Sequence, residues 1–132
     1  MKDSNDQKYD LAGKVIGLAM SVHRELGPGF LESVYESALC LELESAQLEF
    51  ERQKQLEVFY KGQLVGHYLA DVVVNAELII ELKAVQNLAV VHEVQLVNYL
   101  TATQIDHGLL LNFGSKSLQF KKKHRQFQPN PN

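Results

Sequence analysis

The sequence predicts an α/β domain in which a mixed β-sheet is flanked by helices. Three observations lead to this fold class. Apolar residues recur with the period of a helix in two blocks before residue 47, and a third helical block covers residues 88–104. Apolar and polar residues alternate over residues 56–60, and residues 64–74 are rich in β-branched side chains. The segment Leu78–Lys83 is apolar almost throughout, which is typical of a strand buried on both faces.

Two helices are predicted at the start of the domain. Asp10 is a suitable N-cap for the first, and Gly27-Pro28-Gly29 ends it. Its apolar stripe consists of Leu11, Val15, Leu18, Ala19, Val22 and Leu26. The second helix ends near Gln47. Its inward residues are predicted to be Leu31, Val34, Tyr35, Ala38, Leu39 and Ala46.

The strands follow the two helices. Lys61-Gly62 predicts a hairpin turn, and Asn75-Ala76 separates the second strand from the third. After the third helix, two short strands are expected at Gly108–Phe113 and Ser117–Lys121. The predicted element order is therefore α-α-β-β-β-α-β-β, a sheet between helices.

The length and composition fit one domain. The chain has 132 residues, of which 45% are hydrophobic, enough to bury a core without disulfides. Its single cysteine excludes an internal disulfide and any Cys-rich metal site. We expect residues 1–10 to be a disordered N-terminal segment, residues 11–121 the domain, and residues 122–132 a basic and polar tail.

Charge and hydropathy restrict the partners and the compartment. No apolar run approaches the roughly 18 residues of a membrane span, and the polar start does not resemble a signal peptide, so we expect a soluble cytoplasmic domain with no membrane partner. Residues 1–106 carry 8 Lys/Arg against 16 Asp/Glu, whereas residues 107–132 carry 5 against none. The chain is thus not a bulk basic binder of nucleic acid. Its basic end is either a solvated tail or a local phosphate contact, formed by Lys116, Lys121, Lys122, Lys123 and Arg125.

Charged side chains interrupt two of the apolar strands. Glu81 and Lys83 lie two residues apart, so strand periodicity places them on one face. Asp71 stands alone among the apolar residues of the preceding strand. Buried charges are costly unless they are paired or bind a metal. These three residues are therefore either a structural ion network or a site for a hard divalent cation such as Mg²⁺.

The connection between these two strands decides whether the carboxylates can share a cation. A two-residue turn at Asn75-Ala76 would pair Asp71 with Ile80 and send Asp71 and Glu81 to opposite faces. A metal site requires instead a three-residue loop over residues 75–77, or a β-bulge near Asp71.

Two helices carry further polar side chains at helical spacing. Glu32 and Tyr35 lie three residues apart, and Glu32 is expected to face inward. His92, Gln95 and Tyr99 share one face of the third helix. Each residue has a structural explanation of its own, because buried polar side chains usually find a hydrogen-bond partner. Together they are expected to line one site.

These residues resemble a known family. The run Gly29-Phe30-Leu31-Glu32-Ser33-Val34-Tyr35 matches the G-x-x-E-x-x-Y signature of the GxxExxY proteins, which are placed in the PD-(D/E)XK nuclease superfamily of restriction-endonuclease-like fold. Asp71 with Glu81-Leu82-Lys83 resembles the D…E-x-K core of that superfamily. The run Gln95-Leu96-Val97-Asn98-Tyr99 is similar to the Q-x-x-x-Y motif of RecB-like nucleases. The resemblance spans about residues 11–121, with Ala70 in place of the usual proline.

The resemblance implies a role for each matching residue. Asp71, Glu81 and the Leu82 carbonyl would hold Mg²⁺ or Mn²⁺, with Glu32 in or beside the metal shell. Lys83 would orient and help to deprotonate the attacking water. The residues that position the substrate would be Gln95, Tyr99, Tyr35 and His92.

The implied function is metal-dependent hydrolysis of phosphodiester bonds in DNA or RNA. Two alternatives remain at this point: a catalytically weak binding module of the same fold for nucleic acid or a protein partner, and a purely structural dimer. A homodimer or an accessory partner could supply basic surface that the acidic body lacks.

Overall fold

The structure, a computed structural model, describes the backbone of residues 4–125 and the side chains of residues 11–125. Of the predicted terminal segments, residues 1–3 and 126–132 lie outside the described residues. The order of elements agrees with the predicted one. The elements are α1 (Ser4–Leu26), α2 (Glu32–Ser45), β1 (Phe50–Tyr60), β2 (Gln63–Val74), β3 (Leu78–Lys83), α3 (Val90–Thr103), β4 (His107–Asn112) and β5 (Gln119–His124).

The five strands form one mixed sheet in the order β1-β2-β3-β4-β5. Only β3 and β4 are parallel, and α3 makes the crossover between them, as parallel neighbours require. The other three pairs are antiparallel. This is the predicted α/β fold of restriction-endonuclease-like type, with a mixed sheet flanked by three helices among the described residues.

The helices cover the sheet from both sides. On one face, α1 and α2 enclose a core with alternate residues of β2, β3 and β4, centred on Val15, Leu39 and Ile80. On the other face, Leu96 and Leu100 of α3 pack on Ile79, Leu110 and their neighbours. Leu78–Lys83 is thus buried on both faces, as its continuous apolar character predicted. None of the helices in the described residues has a stretch long and apolar enough to cross a bilayer.

The first two strands are longer than predicted at one end. β1 begins at Phe50, six residues before the predicted start, and pairs with β2 from Phe50↔Val74 to Tyr60↔Gln63. β3 pairs only with the last three residues of β2. The outer part of the β1–β2 hairpin therefore projects past the sheet. Polar residues at the start of β1 concealed the strand in the sequence.

The helix starts and the inward face of α2 also differ from the prediction. Asp10 lies within α1 and is not its N-cap. Leu31 and Val34 were expected to point inward, but they are 76% and 37% exposed. Leu31 is the N-cap residue of α2 and lies outside its buried face. Its buried residues are Tyr35, Glu36, Leu39, Cys40 and Leu43.

Candidate active site

The hairpin between β2 and β3 has the loop that a shared carboxylate site requires. Val74 pairs with Leu78, so three residues, Asn75 to Glu77, form the connection. The Glu77 N–H closes the turn on the Val74 carbonyl at 3.0 Å. Continued by one step past Val72↔Ile80, this register places Asp71 opposite Glu81. Of the two arrangements that the sequence left open, a three-residue loop or a β-bulge near Asp71, the structure has the three-residue loop.

At Asp71, the side chains of β2 break their regular alternation between the two sides of the sheet, so that the two faces of the strand are exchanged. Tyr68 and Ala70 pack with α3, whereas Val72 and Val74 pack with α1 and α2. Regular alternation would keep all four side chains on one face. The exchange occurs at Asp71, which can therefore reach groups on both sides of the sheet.

The β2–β3 ladder stops at Val72↔Ile80. Beyond it, backbone N–H groups face side-chain carboxylates instead of the carbonyls of the neighbouring strand. The Leu82 N–H donates to Asp71 Oδ2 at 2.9 Å. The Asp71 N–H lies 3.4 Å from Glu81 Oε1, and the Tyr68 hydroxyl donates to the same oxygen. Side-chain oxygens thus occupy the space between two diverging strands, so both carboxylates are fixed by backbone as well as by side-chain donors.

Burial makes this pair of carboxylates unfavourable as two free anions. Burial and the nearby Asp71 charge raise the pKa of Glu81 to about 7. Burial also raises the pKa of Asp71, with a further contribution from the Glu36 charge. The pKa of Tyr68 is raised by burial and by Glu81, so the phenol stays a proton donor. A cation between the carboxylates would relieve both their repulsion and their lost hydration.

The α3 side completes a small cleft. It has a volume of about 30 Å³, and its walls include Glu81, Lys83, His92, Gln95 and Tyr99. His92, Gln95 and Tyr99, which the sequence predicted to share one face of the third helix, therefore line the same cleft as Glu81 and Lys83.

Two of the cleft residues have additional contacts of their own. The Tyr99 ring stacks on the Tyr68 ring at 3.7 Å between centroids, and this contact locks the tyrosine that binds Glu81. His92 Nδ1 accepts the Ala89 N–H at 3.2 Å and so caps the start of α3.

The α2 residues of the G-x-x-E-x-x-Y run lie elsewhere. Glu32 is exposed at the start of α2, and its expected inward orientation is wrong. Tyr35 is fully buried on the α1–α2 face of the sheet, stacked on Phe113 at 4.6 Å. Its hydroxyl donates to the Gly27 carbonyl at 2.5 Å and accepts the Phe30 N–H at 3.1 Å. These contacts fix the turn between α1 and α2, on the opposite side of the sheet from the cleft.

Sequence reasoning missed two residues beside the carboxylates. Glu36, one helical turn after Glu32, is buried and is bonded to Arg52 and Gln53 of β1. The second is Tyr68, the donor to Glu81. Continuing the α2 period past Glu32 would have found Glu36, and Tyr68 is the one hydroxyl in the run that leads to Asp71.

The basic residues near the chain end do not form one surface. Lys123 is ion-paired with Glu93 at 2.6 Å, and Arg125 is ion-paired with Asp106 at 2.8 Å. Lys122 lies opposite Leu109 and Lys121 opposite Leu110, so these two lysines point to opposite faces of the sheet. Leu110 is also the partner of Glu81. Glu81, Leu110 and Lys121 are therefore successive partners in one row across the sheet, and Lys121 lies two strands from Glu81.

The donor set fits a hard divalent cation, although it is small. Asp71 and Glu81 supply carboxylate oxygens, which Mg²⁺ and Mn²⁺ prefer, and Mg²⁺ commonly binds through one or two carboxylates with water and phosphate. Within the described residues, His, Cys, Asp and Glu side chains do not gather in a group of three or more suited to hold a metal.

A family model described as the PD-(D/E)XK nuclease superfamily matches residues 9–126. The chain is also similar to a solved crystal structure of the protein SSO0001, with a TM-score of 0.59 and 16% identity over 73% of this chain. It spans 50% of the length of SSO0001, and at this identity the similarity concerns the fold alone. No curated protein shows significant similarity to the chain.

Nucleases of this superfamily generally use divalent metals and act on nucleic acid. The narrower resemblance to the GxxExxY proteins stays a prediction. Because the family model covers most of the sequence, the chain belongs to the PD-(D/E)XK nuclease superfamily.

Proposed function

We propose that the chain is a metal-dependent phosphodiesterase that hydrolyses DNA or RNA with Mg²⁺ or Mn²⁺. One observation carries the proposal: Asp71 and Glu81 are held close together, each facing a backbone N–H of the other's strand, and Lys83 lines the cleft beside Glu81. A structural ion network would pair these carboxylates with cationic side chains. Lys83 is the one cationic side chain among the groups that shift the pKa of Glu81, and none is among those that shift the pKa of Asp71.

Asp71, Glu81 and the Leu82 carbonyl would hold the cation. When bound, it would lower the pKa of a coordinated water and stabilise the charge that builds on the phosphate. Lys83 would orient the attacking water and offset the growing negative charge on the phosphate oxygens. The position of Lys83 in the wall of the same cleft as Glu81 supports this role.

The cleft residues of α3 would position the substrate. Gln95 is exposed at the cleft and offers an amide donor to a phosphate oxygen. His92 offers the ring nitrogen that does not cap α3. Tyr99 would act through its stacking on Tyr68. Glu32 and Tyr35 are not part of this proposed site, because one is exposed and the other is committed to the α1–α2 turn.

Cleavage assays test the proposal. Single- and double-stranded DNA and RNA are each incubated with the protein and millimolar Mg²⁺ or Mn²⁺. We expect cleavage of at least one substrate, its loss with a chelator, and its loss in Glu81→Ala and Lys83→Ala. Glu57→Ala is the matched control, because Glu57 is an exposed strand carboxylate away from the cleft.

The negative outcomes separate the alternatives. Metal-independent binding of nucleic acid without cleavage would support the catalytically weak binding module instead. If the protein neither cleaves nor binds any of the four substrates, the proposed function is wrong.

A further inference from the structure

Beside the candidate site, β1 holds a buried carboxylate of α2. Glu36 is 7% exposed, and both of its oxygens are bonded to side chains of β1. Arg52 donates to Oε2 through Nε at 3.2 Å and through Nη2 at 3.0 Å. Gln53 donates to Oε1 through Nε2 at 2.7 Å. The Gln53 amide is therefore anchored on a carboxylate that an arginine already fixes.

Gln53 has an unusual backbone for a strand residue. Its φ is +48°, in the left-handed region that side chains with a Cβ avoid. Arg52↔Val72 and Lys54↔Ala70 pair on either side of it in one register, but Gln53 and Asp71 themselves do not pair. Such conformations persist where the surroundings hold them, and they cluster at functional sites.

This backbone conformation brings the Gln53 amide next to Asp71. Gln53 Nε2 lies 3.5 Å from Asp71 Oδ1, while the Leu82 N–H holds Oδ2. The two oxygens of the Asp71 carboxylate thus face donors from two different strands, at the point where β2 exchanges its faces. The side chain has little freedom to turn away from Glu81.

We propose that Gln53 is a positioning residue that orients the Asp71 carboxylate for cation binding, with Glu36 and Arg52 as its anchor. This inference rests on the proposed function, in which Asp71 is a metal ligand. Groups that orient a ligand typically change metal affinity by about 10- to 100-fold when they are removed. A purely structural Gln53, tying β1 to α2, would affect stability and leave metal affinity unchanged.

The test separates these effects with glycine variants at two positions. Gln53→Gly removes the amide but suits the left-handed backbone, since glycine adopts it freely. Gln47→Gly is the matched control: Gln47 is exposed after α2, and its φ is +60°. Mn²⁺ affinity is measured by calorimetric titration of the folded full chain at fixed pH, and melting temperature is recorded in a chelator.

We expect Gln53→Gly to bind Mn²⁺ about 10- to 100-fold more weakly than the wild type, and Gln47→Gly to bind it equally well. A wild-type affinity in Gln53→Gly would overturn the proposal.

If the glycine variant does not fold, Gln53→Asn tests whether Gln53 positions Asp71. Asparagine also tolerates this backbone, but its shorter side chain cannot reach both Glu36 and Asp71. Weaker Mn²⁺ binding by the folded asparagine variant supports the positioning role, and unchanged binding overturns it. If the wild type itself binds no Mn²⁺, the proposed function fails, and the inference fails with it.

Discussion

Asp71 and Glu81 each face a backbone N–H of the strand that carries the other residue. Leu82, the neighbour of Glu81, donates to Asp71, and the Asp71 N–H points at Glu81. The hydrogen bonds that would extend the β-ladder are thus replaced by carboxylate bonds. The arrangement keeps two buried acids close together, and several measurable properties depend on that proximity.

The metal-free protein should lose stability as the pH rises from about 4.5 to about 7. Glu81 has an ordinary pKa of 4.5 when unfolded and about 7 when folded, and the pKa of Asp71 is raised too. In this range the folded state binds more protons than the unfolded state, so stability falls with increasing pH. Urea unfolding at pH 5 and pH 8 in a chelator should differ by roughly 1–3 kcal/mol from this source. Asp71→Asn combined with Glu81→Gln should abolish the difference, and an equal pH dependence in the double variant would refute this account.

Divalent metal should stabilise the wild type by binding only the folded state. At a concentration 100 times the Kd, the gain is about 2.7 kcal/mol, or several degrees in Tm. The shift should be larger at pH 8 than at pH 5, because the ligands must be deprotonated. Thermal melts with and without Mn²⁺ measure it, and the Asp71→Asn, Glu81→Gln double variant should show little shift. An unmoved wild-type melting curve would indicate that the carboxylates are structural.

Of the basic residues near the end of the chain, Lys121 should contribute most to binding of nucleic acid. It lies two strands from Glu81 in the same row, roughly 10 Å away by strand spacing. Lys123 is already paired with Glu93. Lys121→Gln should weaken binding and reduce the slope of log affinity against log salt by roughly 0.7–0.9.

Lys14→Gln on α1 is the control for that measurement. Changing Lys121, Lys122 and Lys123 together should add little to the effect of Lys121→Gln. Equal affinities and slopes for the triple variant and the wild type would show that these three lysines do not contact the nucleic acid.

Gly114→Ala should destabilise the fold and disturb the segment that follows Lys83. A Cβ at Gly114 would lie 2.4 Å from the Val85 carbonyl oxygen and 2.5 Å from its nitrogen, and these are backbone atoms that cannot swing aside. We expect a loss of about 2 kcal/mol or more in unfolding free energy. Gly13→Ala, in open space on α1, should instead stabilise the protein by up to about 1 kcal/mol. Urea denaturation compares the two, and equal stabilities would contradict the close contact.

Local patterns in the sequence were sufficient for the order of elements and for the central acids. Asp71, Glu81 and Lys83 stood out because lone charges in apolar strands have few physical explanations. Strand alternation has a fixed period of two, so a shared carboxylate site required either a three-residue loop over residues 75–77 or a β-bulge near Asp71, and the structure has the loop. His92, Gln95 and Tyr99 followed from helical periodicity in the same way.

Tertiary structure decided which other groups stand beside those acids. Glu32 and Glu36 lie on the same helical side, and only the way α2 packs on β1 buries Glu36 and leaves Glu32 in solvent. The left-handed Gln53 and the exchange of faces at Asp71 have no local signal, because their partners, Glu36 and the Leu82 N–H, come from other elements of the fold. The sequence alone determined which residues could carry the chemistry, since that depends on residue type and period. Their partners were decided by contacts between elements far apart in the chain.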